Sequence, residues 1–270
     1  MLTIADKRAA FRKLHESGCF IIPNPHDAGT ARALQHLGFK ALASTSAGFA
    51  WTLGRPDNKV TVDDVCRHLT EICAAVDIPV NADFEDGFAH EPTKVGVNVA
   101  RAVKTGVSGL SIEDYTGDSA KPLFDRALAV ERIKAAREAI DADKSGVLLT
   151  GRCEAFLRGQ KDLNLVIDRL TAYAEAGADC LYAPGISTKE EISAVVKAVA
   201  PKPVNLLVFG MDHSLEQAGS LGVRRISVGG SLSRMAWAGF MKAAKEMAEK
   251  GTFTEFANGY PGAELNKMFA

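Results

Sequence analysis

The sequence predicts an α/β fold, a (β/α)8 TIM barrel with a short C-terminal extension. Three observations carry that expectation. Eight short apolar runs recur along the chain, each followed by a polar turn and then by a helical pattern. The runs read as near-continuous apolar stretches, the pattern of parallel strands covered on both faces. The chain has 270 residues, 47% hydrophobic and 24% charged, an ordinary globular composition at a length that suits one such barrel. No G-x-G-x-x-G follows the first run, which argues against an open dinucleotide-binding sheet.

The runs follow in order. The first four candidate strands are "CFIIPNP" (19–25), "ALASTS" (41–46), "PVNADF" (79–84) and "GLSIED" (109–114). The next four are "VLLTGR" (147–152), "CLYAPG" (180–185), "PVNLLVF" (203–209) and "RISVGG" (225–230). Between them "AGTARALQHLG", "VARAVKTG" and "IDRLTAYAEAG" each end on glycine, the usual stop signal of a helix. "DRALAVERIKAAREAI" and "SLSRMAWAGFMKAAKEMAEKG" are longer and alanine-rich. No linker or low-complexity segment divides the chain, so 1–270 is expected to be a single barrel domain with 251–270 as a C-terminal appendage.

Charge and cysteine usage exclude some function classes. Lys+Arg 32 against Asp+Glu 33 leaves a formal net charge of -1, so nothing favours nucleic acid or a membrane surface as partner. No run approaches the roughly 20 apolar residues of a membrane span, and the first residues lack the apolar segment of a signal peptide. Five cysteines, scattered and without a C-x-x-C pair, suggest reduced thiols and a cytoplasmic location.

The chemistry concentrates where a barrel places it, at the C-terminal ends of the strands. "NADFEDG" puts Asp83, Glu85 and Asp86 at the end of the third run, and "SIED" puts Glu113 and Asp114 at the end of the fourth. Like charges this close repel unless a cation neutralises them. A single acid at a strand end also serves as a helix cap or an ion-pair partner; two neighbouring strands supplying acids together favour a metal. Mg²⁺, or Mn²⁺ in its place, takes one or two carboxylates, keeps waters and leaves positions for substrate, and Asp83, Glu85 and Glu113 suit it. Arg152, at the end of the fifth run, has the fork geometry to clamp a carboxylate, and the hydroxyls and amides of "STSAG", Thr45 and Ser46 among them, suit an oxyanion. Asp27 reads as the cap of the first helix after the first strand, with His26 structural beside it. Cys153 reads as a packing thiol, and Cys66 and Cys73 as core. "VGGS" reads either as a phosphate-binding turn or as a tight turn only.

With these residues in place, the chain resembles the phosphoenolpyruvate mutase / isocitrate lyase superfamily. The resemblance runs from "NPHDAGTARALQHLGFKALASTSAGFAWTLGRPD" through "ADFEDG", "SIED" and "LLTGRCEAF" to "RRISVGGSLSRMA". It implies a Mg²⁺-dependent barrel enzyme acting on α-oxocarboxylates or their enol forms. It also implies a homo-oligomer, dimer or tetramer, in which a C-terminal helix is exchanged. By position, Asp83, Glu85 and Glu113 resemble the metal-site acids, acting partly through water. Asp57 in "GRPD" resembles a further active-site aspartate, Arg152 the substrate-carboxylate arginine, and Asn205 a polar residue lining the site. The lyases carry a Lys-Lys/Arg-Cys-Gly-His segment in the loop after strand 4. Here that loop reads "DYTGDSAKPLFD", without Cys or His, and Lys121 is its only basic side chain. After strand 6 the acid that the lyases carry is replaced in "YAPG" by Gly185. These departures argue against a standard isocitrate lyase and leave Lys121 and Asp57 as the candidate acid/base groups.

The expected function is therefore a carbon–carbon lyase acting on a small α-oxo or α-hydroxy carboxylic acid through a metal-stabilised pyruvate-type enolate. The catalytic residues would be Asp57, Arg152 and Lys121, with Thr45, Ser46, Arg152 and Asn205 binding the substrate carboxylate. Alternatives within the enzyme class are an oxaloacetate-type hydrolase or decarboxylase and a phosphonate P–C mutase or hydrolase. A different class, a non-catalytic 2-oxoacid-binding barrel, is compatible with the missing acid/base motif. A phosphate-sugar isomerase rests on "VGGS" alone.

Overall fold

The computed structural model describes residues 2–210 and 213–270. All eight expected runs form strands: β1 (Phe20–Ile21), β2 (Leu42–Ala43), β3 (Val80–Asp83), β4 (Gly109–Glu113), β5 (Leu148–Arg152), β6 (Cys180–Tyr182), β7 (Val204–Leu207) and β8 (Arg225–Ser227). They make one parallel sheet in the order β1-β8-β7-β6-β5-β4-β3-β2. Among the described residues β1 and β2 share no strand ladder, but the Ala43 amide donates to the Pro23 carbonyl at 3.0 Å across the gap between them.

The helices lie in sequence between the strands. An N-terminal helix α1 (Ile4–Leu14) precedes β1, and α2 (Ala28–His36) follows it. Two helices, α3 (Ser46–Thr52) and α4 (Val62–Ala75), separate β2 from β3. Next come α5 (Pro92–Val103), α6 (Arg126–Ala142), α7 (Leu163–Glu175), α8 (Lys189–Val199) and α9 (Leu215–Ser220), one after each of β3 to β7. The long α10 (Ser231–Lys250) follows β8, and α11 (Gly262–Phe269) comes near the end. Several starts are locally encoded. Thr3, Asp27, Thr61, Thr188 and Ser214 all close capping boxes, in which the cap side chain and the residue three places on satisfy each other's exposed amides. None of these helices is long and apolar enough to cross a membrane.

The strands depart from the continuous apolar reading. Their outward residues, Leu110, Ile112, Leu149, Leu181, Leu206 and Ile226, pack under the helices with Val99, Ile133, Leu170 and Val195 in the main core. Each such burial contributes about 1.5–3 kcal/mol. The inward residues alternate with them and are largely polar: Asn81 and Asp83, Ser111 and Glu113, Thr150 and Arg152, Asn205, Arg225 and Ser227. The sheet is apolar on one face because a cavity penetrates the other. The opposite end of the sheet is closed by α1, whose Phe11 packs with Ile22, Ala41, Ala43 and Leu148. Gly109 makes that plug fit, since a Cβ there would lie 2.6 Å from both the Phe11 ring and the Asn81 side chain.

Candidate active site

A cavity of about 370 Å³ opens at the C-terminal ends of the strands. Its lining includes Thr45, Ser46, Asp57, Asp83, Arg152 and Asn205, which are six of the residues singled out from the sequence. Glu85 and Glu113 line an adjoining depression with Asn58 and Asp86.

Arg152 ties the two together. Its Nη1 lies 3.2 Å from Asp83 Oδ1 and 3.2 Å from Glu113 Oε2, and its Nε donates to Glu154 Oε1 at 2.5 Å. Strand register supplies part of this, because β4 and β5 pair with Glu113 beside Arg152. Burial alone would lower the pKa of the guanidinium, but Glu113, Glu154 and Asp83 outweigh it and hold Arg152 firmly charged. Glu154 is fully buried and also forms an ion pair with Arg158, whose Nη2 lies 3.0 Å from Oε2, so one carboxylate faces two arginines on the cavity wall.

Asp83 is fixed from three sides. Its Oδ2 accepts from the Ser46 amide at 3.0 Å, its own amide donates to Ser44 Oγ at 2.8 Å, and Arg152 holds Oδ1. Thr45 is committed as the N-cap of α3, where its hydroxyl accepts from the Gly48 amide at 3.2 Å. The Ser46 hydroxyl is the part of the expected oxyanion loop that is left uncommitted.

Glu85 is the least satisfied acid. It sits in the left-handed region at φ 45, where a side chain other than glycine stores strain, a feature that clusters at functional sites. Its Oε2 accepts from Asn58 Nδ2 at 3.3 Å, while Oε1 is buried without a partner among the described residues. Burial first, then Asp83, pushes its pKa up to about 8. Glu113 is raised by burial against the opposing pull of Arg152. Asp57 lies at the mouth, where desolvation of its carboxyl and then the nearby Asp83 raise its pKa, and its Oδ1 accepts from the Asn58 amide. Five carboxylates (Asp57, Asp83, Glu85, Glu113, Glu154) thus gather around two guanidiniums, those of Arg152 and Arg158. A buried carboxylate oxygen without a donor and acids that resist ionisation fit a site that takes an additional cation. Among the described residues no three His, Cys, Asp or Glu side chains already form a finished ligand set, and Arg152 stands between the acids.

Lys121 does not join this group. Its loop turns back through a bridge between Tyr115 and Leu123, and the side chain lies in a separate surface depression with Nζ 3.3 Å from Asp125. Asp114, next to Glu113, points the other way: it accepts from Tyr173 at 2.6 Å and Arg169 at 3.1 Å and takes the Glu154 amide, so it anchors α7 to the strand ends. Asp27 caps α2 as expected, and Cys153 is fully buried. Gly229, Gly230 and Ser231 of the "VGGS" turn line the cavity, with the Val228 and Gly229 amides taken by Asn24.

Several cavity residues were not anticipated. Tyr182 stacks beside Arg152, whose guanidinium carbon is 5.1 Å from the ring centre. Arg225 lies on the floor, almost fully buried and with no carboxylate within ion-pair distance among the described residues. It donates to Asn205 Oδ1 at 2.8 Å, to Thr150 Oγ1 at 2.9 Å and toward His15 Nε2 at 3.3 Å. Burial and then Arg225 push the His15 pKa down to about 3, so that imidazole is neutral. The sequence signal for both residues was their inward register at strand ends, Tyr182 level with Arg152 and Arg225 level with Asn205.

Comparison with known proteins gives this geometry a family. The family model described as phosphoenolpyruvate phosphomutase matches residues 11–248. The chain belongs to that family. A solved structure from Burkholderia cenocepacia J2315, described only as a lyase/mutase, superposes with a TM-score of 0.95 at 47% identity, covering 98% of this chain and 97% of that one. Oxaloacetate acetylhydrolase in complex with its product oxalate superposes with a TM-score of 0.87 at 26% identity, over 99% and 94% of the two chains. An uncharacterized protein of Mycobacterium tuberculosis is 32% identical over 223 residues, 82% of this chain and 81% of that protein. The phosphoenolpyruvate phosphomutase match spans every strand of the sheet and every acid of the cavity.

Proposed function

We propose that this protein is a Mg²⁺-dependent carbon–carbon lyase that acts on a small α-oxo or α-hydroxy carboxylic acid by way of a pyruvate-type enolate. The observation that carries the reading is the unpartnered buried oxygen of Glu85 among acids that Arg152 neutralises only in part. Asp83, Glu85 and Glu113 would hold the ion, which when bound supplies charge neutralisation to an enolate. Arg152, freed from part of its acid cage, would clamp the substrate carboxylate, and Ser46 at the α3 N-terminus would hold its other oxygen. Asn205 lines the wall behind it, and Asp57 guards the mouth. Lys121 is left out of the catalytic set because of its distance from this cavity.

One second reading has specific support. The loop after β4 lacks the Cys and His of the lyase motif, and a relative that covers nearly the whole chain is an oxaloacetate acetylhydrolase. Hydrolytic cleavage of an oxaloacetate-type substrate would use the same enolate and differ only in the group that leaves. We further infer that 1–270 form one domain whose sheet closes as a (β/α)8 barrel at the Ala43–Pro23 contact, with 251–270 appended. We also infer that α10, which exposes Met235, Trp237, Phe240 and Met241, packs in a homo-oligomer.

The test is thermal stability with Mg²⁺, with and without oxalate, a planar mimic of the enolate. A ligand that binds only the folded state must raise the midpoint. The expected result is a rise that needs both components and is lost in Asp83→Ala. No rise, or one that survives Asp83→Ala, overturns the metal-enolate reading.

A further inference from the structure

The floor of the cavity is built differently from its acidic rim. Asn81, Asn205 and Arg225 line it, and all three are almost fully buried. Arg225 has no carboxylate within ion-pair distance among the described residues. Its partners are Asn205 Oδ1 at 2.8 Å, Thr150 Oγ1 at 2.9 Å, His15 Nε2 at 3.3 Å and Asn81 Oδ1 at 3.5 Å. None of them carries a charge. His15 is neutral by its geometry. Its Nδ1 lies 2.8 Å from the Phe11 carbonyl, which only accepts, so the ring proton sits there and Nε2 offers its lone pair to Arg225. A buried charge without a counter-charge is costly.

The hydrogen bonds of the floor have a forced direction. An arginine can only donate. Arg225 therefore claims the carboxamide oxygens of Asn81 and Asn205, and this fixes which end of each amide is its NH₂. Asn81 Nδ2 donates to the Ala82 carbonyl at 3.2 Å, and Asn205 Nδ2 donates to Ser227 Oγ at 2.9 Å. Each NH₂ has two protons, so each keeps one after these bonds. Asn24 repeats the arrangement on the adjoining wall. The Val228 and Gly229 amides take its oxygen, and its Nδ2 makes one bond, to the Ser44 carbonyl at 2.9 Å. Three carboxamides thus line the cavity with their oxygens consumed and amide protons to spare. Water would satisfy those protons but would leave the guanidinium charge uncancelled. On β3 the next inward residue is the acid Asp83, about 7 Å further toward the mouth, and Arg152 and the Ser46 amide already hold it.

We propose that the cavity floor is an anion subsite, in which the spare amide protons of Asn81 and Asn205 hold a small monovalent anion that offsets Arg225. The subsite lies a tier below Arg152, so it is separate from the place where a substrate carboxylate meets that arginine. It requires no metal. Two sources supply an anion of this chemistry: a halide from solution, or the carboxylate at the end of an organic acid that points away from the rim.

The experiment follows the thermal midpoint of the full chain in EDTA while sodium chloride or sodium formate is titrated, with ionic strength set by the bulky sulfonate HEPES. The wild type is expected to show a saturable rise of about 3 °C once the anion exceeds its dissociation constant tenfold. A rise with chloride alone assigns the halide source, and a rise with formate alone assigns the carboxylate source. A rise with each that does not add when both are present assigns a site that accepts either. Arg225→Met is expected to abolish the rise. Asn81→Ala keeps the guanidinium and is expected to weaken the anion about tenfold, the worth of a hydrogen bond to a charged group. The absence of a saturable rise in the wild type overturns the proposal, as do rises that add or a rise that persists in Arg225→Met. If Arg225→Met does not fold, Asn81→Ala decides, and an unchanged dissociation constant in it overturns the subsite. Without metal in the assay, none of these outcomes bears on the metal-enolate reading, which Mg²⁺ and oxalate test separately.

Discussion

Two arginines on the inner face of the same sheet live in opposite surroundings. Arg152 on β5 is enclosed by three carboxylates, from Asp83, Glu113 and Glu154. Arg225 on β8 is enclosed by neutral oxygens and one neutral imidazole. The first is a charge already spent, whose partners are short of positive charge rather than long of it. The second is a charge kept in hand. Its protons are engaged in hydrogen bonds, and among the described residues no carboxylate lies within ion-pair distance of it. On the proposed reading, the β3–β5 sector of the cavity receives a cation and the β7–β8 sector steadies an anion. A substrate whose one end meets a metal and whose other end develops negative charge fits across the two.

The strongest way to break this contrast is to remove each cation in turn. Arg152→Met leaves Asp83 and Glu113 uncompensated and Glu154 with Arg158 alone, and should cost about 4 kcal/mol at neutral pH. The loss should shrink on acidification, as the acids take up protons, and Mg²⁺ should recover part of it. Denaturation at pH 5 and pH 8, with and without Mg²⁺, measures both. Arg225→Met orphans the Asn205 and Thr150 oxygens instead and should cost about 3 kcal/mol. That cost should be the same between pH 7 and 8 and indifferent to Mg²⁺. Equal pH dependence in the two variants would remove the distinction.

A finer test concerns Glu85. Its folded pKa of about 8 lies above its ordinary value of 4.5. The folded state therefore holds a proton that the unfolded state has lost at intermediate pH. The stability this group contributes is full below pH 4.5 and is lost as pH rises toward 8. In EDTA, the wild type should lose up to about 1.4 kcal/mol per pH unit across that window relative to Glu85→Gln. Parallel stability curves for the two proteins would contradict the burial argument. The smallest effect is expected at Lys121. Lys121→Ala removes an exposed pair with Asp125 and should change stability by under about 0.5 kcal/mol. Turnover should stay within twofold, and a loss of a hundredfold or more would return that residue to the catalytic set.

The acids were legible in the sequence because their meaning is local. A parallel strand ends, a carboxylate follows, and position along the chain predicts the rim. The eight strands were legible for the same reason, each being a short apolar run closed by a polar turn. Arg225 and Tyr182 were not. Their surroundings are assembled from residues far apart in sequence, such as His15 and Arg225, and a lone arginine inside an apolar run carries no mark of what it will face. Lys121 misled for the converse reason. It was the only basic side chain of its loop, but the loop's own bridge and the neighbouring Asp125 decide where it points. The continuous apolar look of the strands also hid the alternation that the cavity imposes, with Asn81, Ser111 and Thr150 facing in and Leu110 and Leu149 facing out.

That alternation has a practical consequence. On β3, β5 and β8 the inward positions come in pairs two residues apart: Asn81 and Asp83, Thr150 and Arg152, Arg225 and Ser227. The first of each pair joins the neutral cradle around Arg225, and the second faces the chamber above. Successive inward side chains on a strand are about 7 Å apart, and Asn205, bonded to both Arg225 and Ser227, is the side chain that joins these two tiers. A mutational library restricted to the upper tier would exchange one reaction for another on an unaltered foundation, which makes this sheet a natural chassis for redesign.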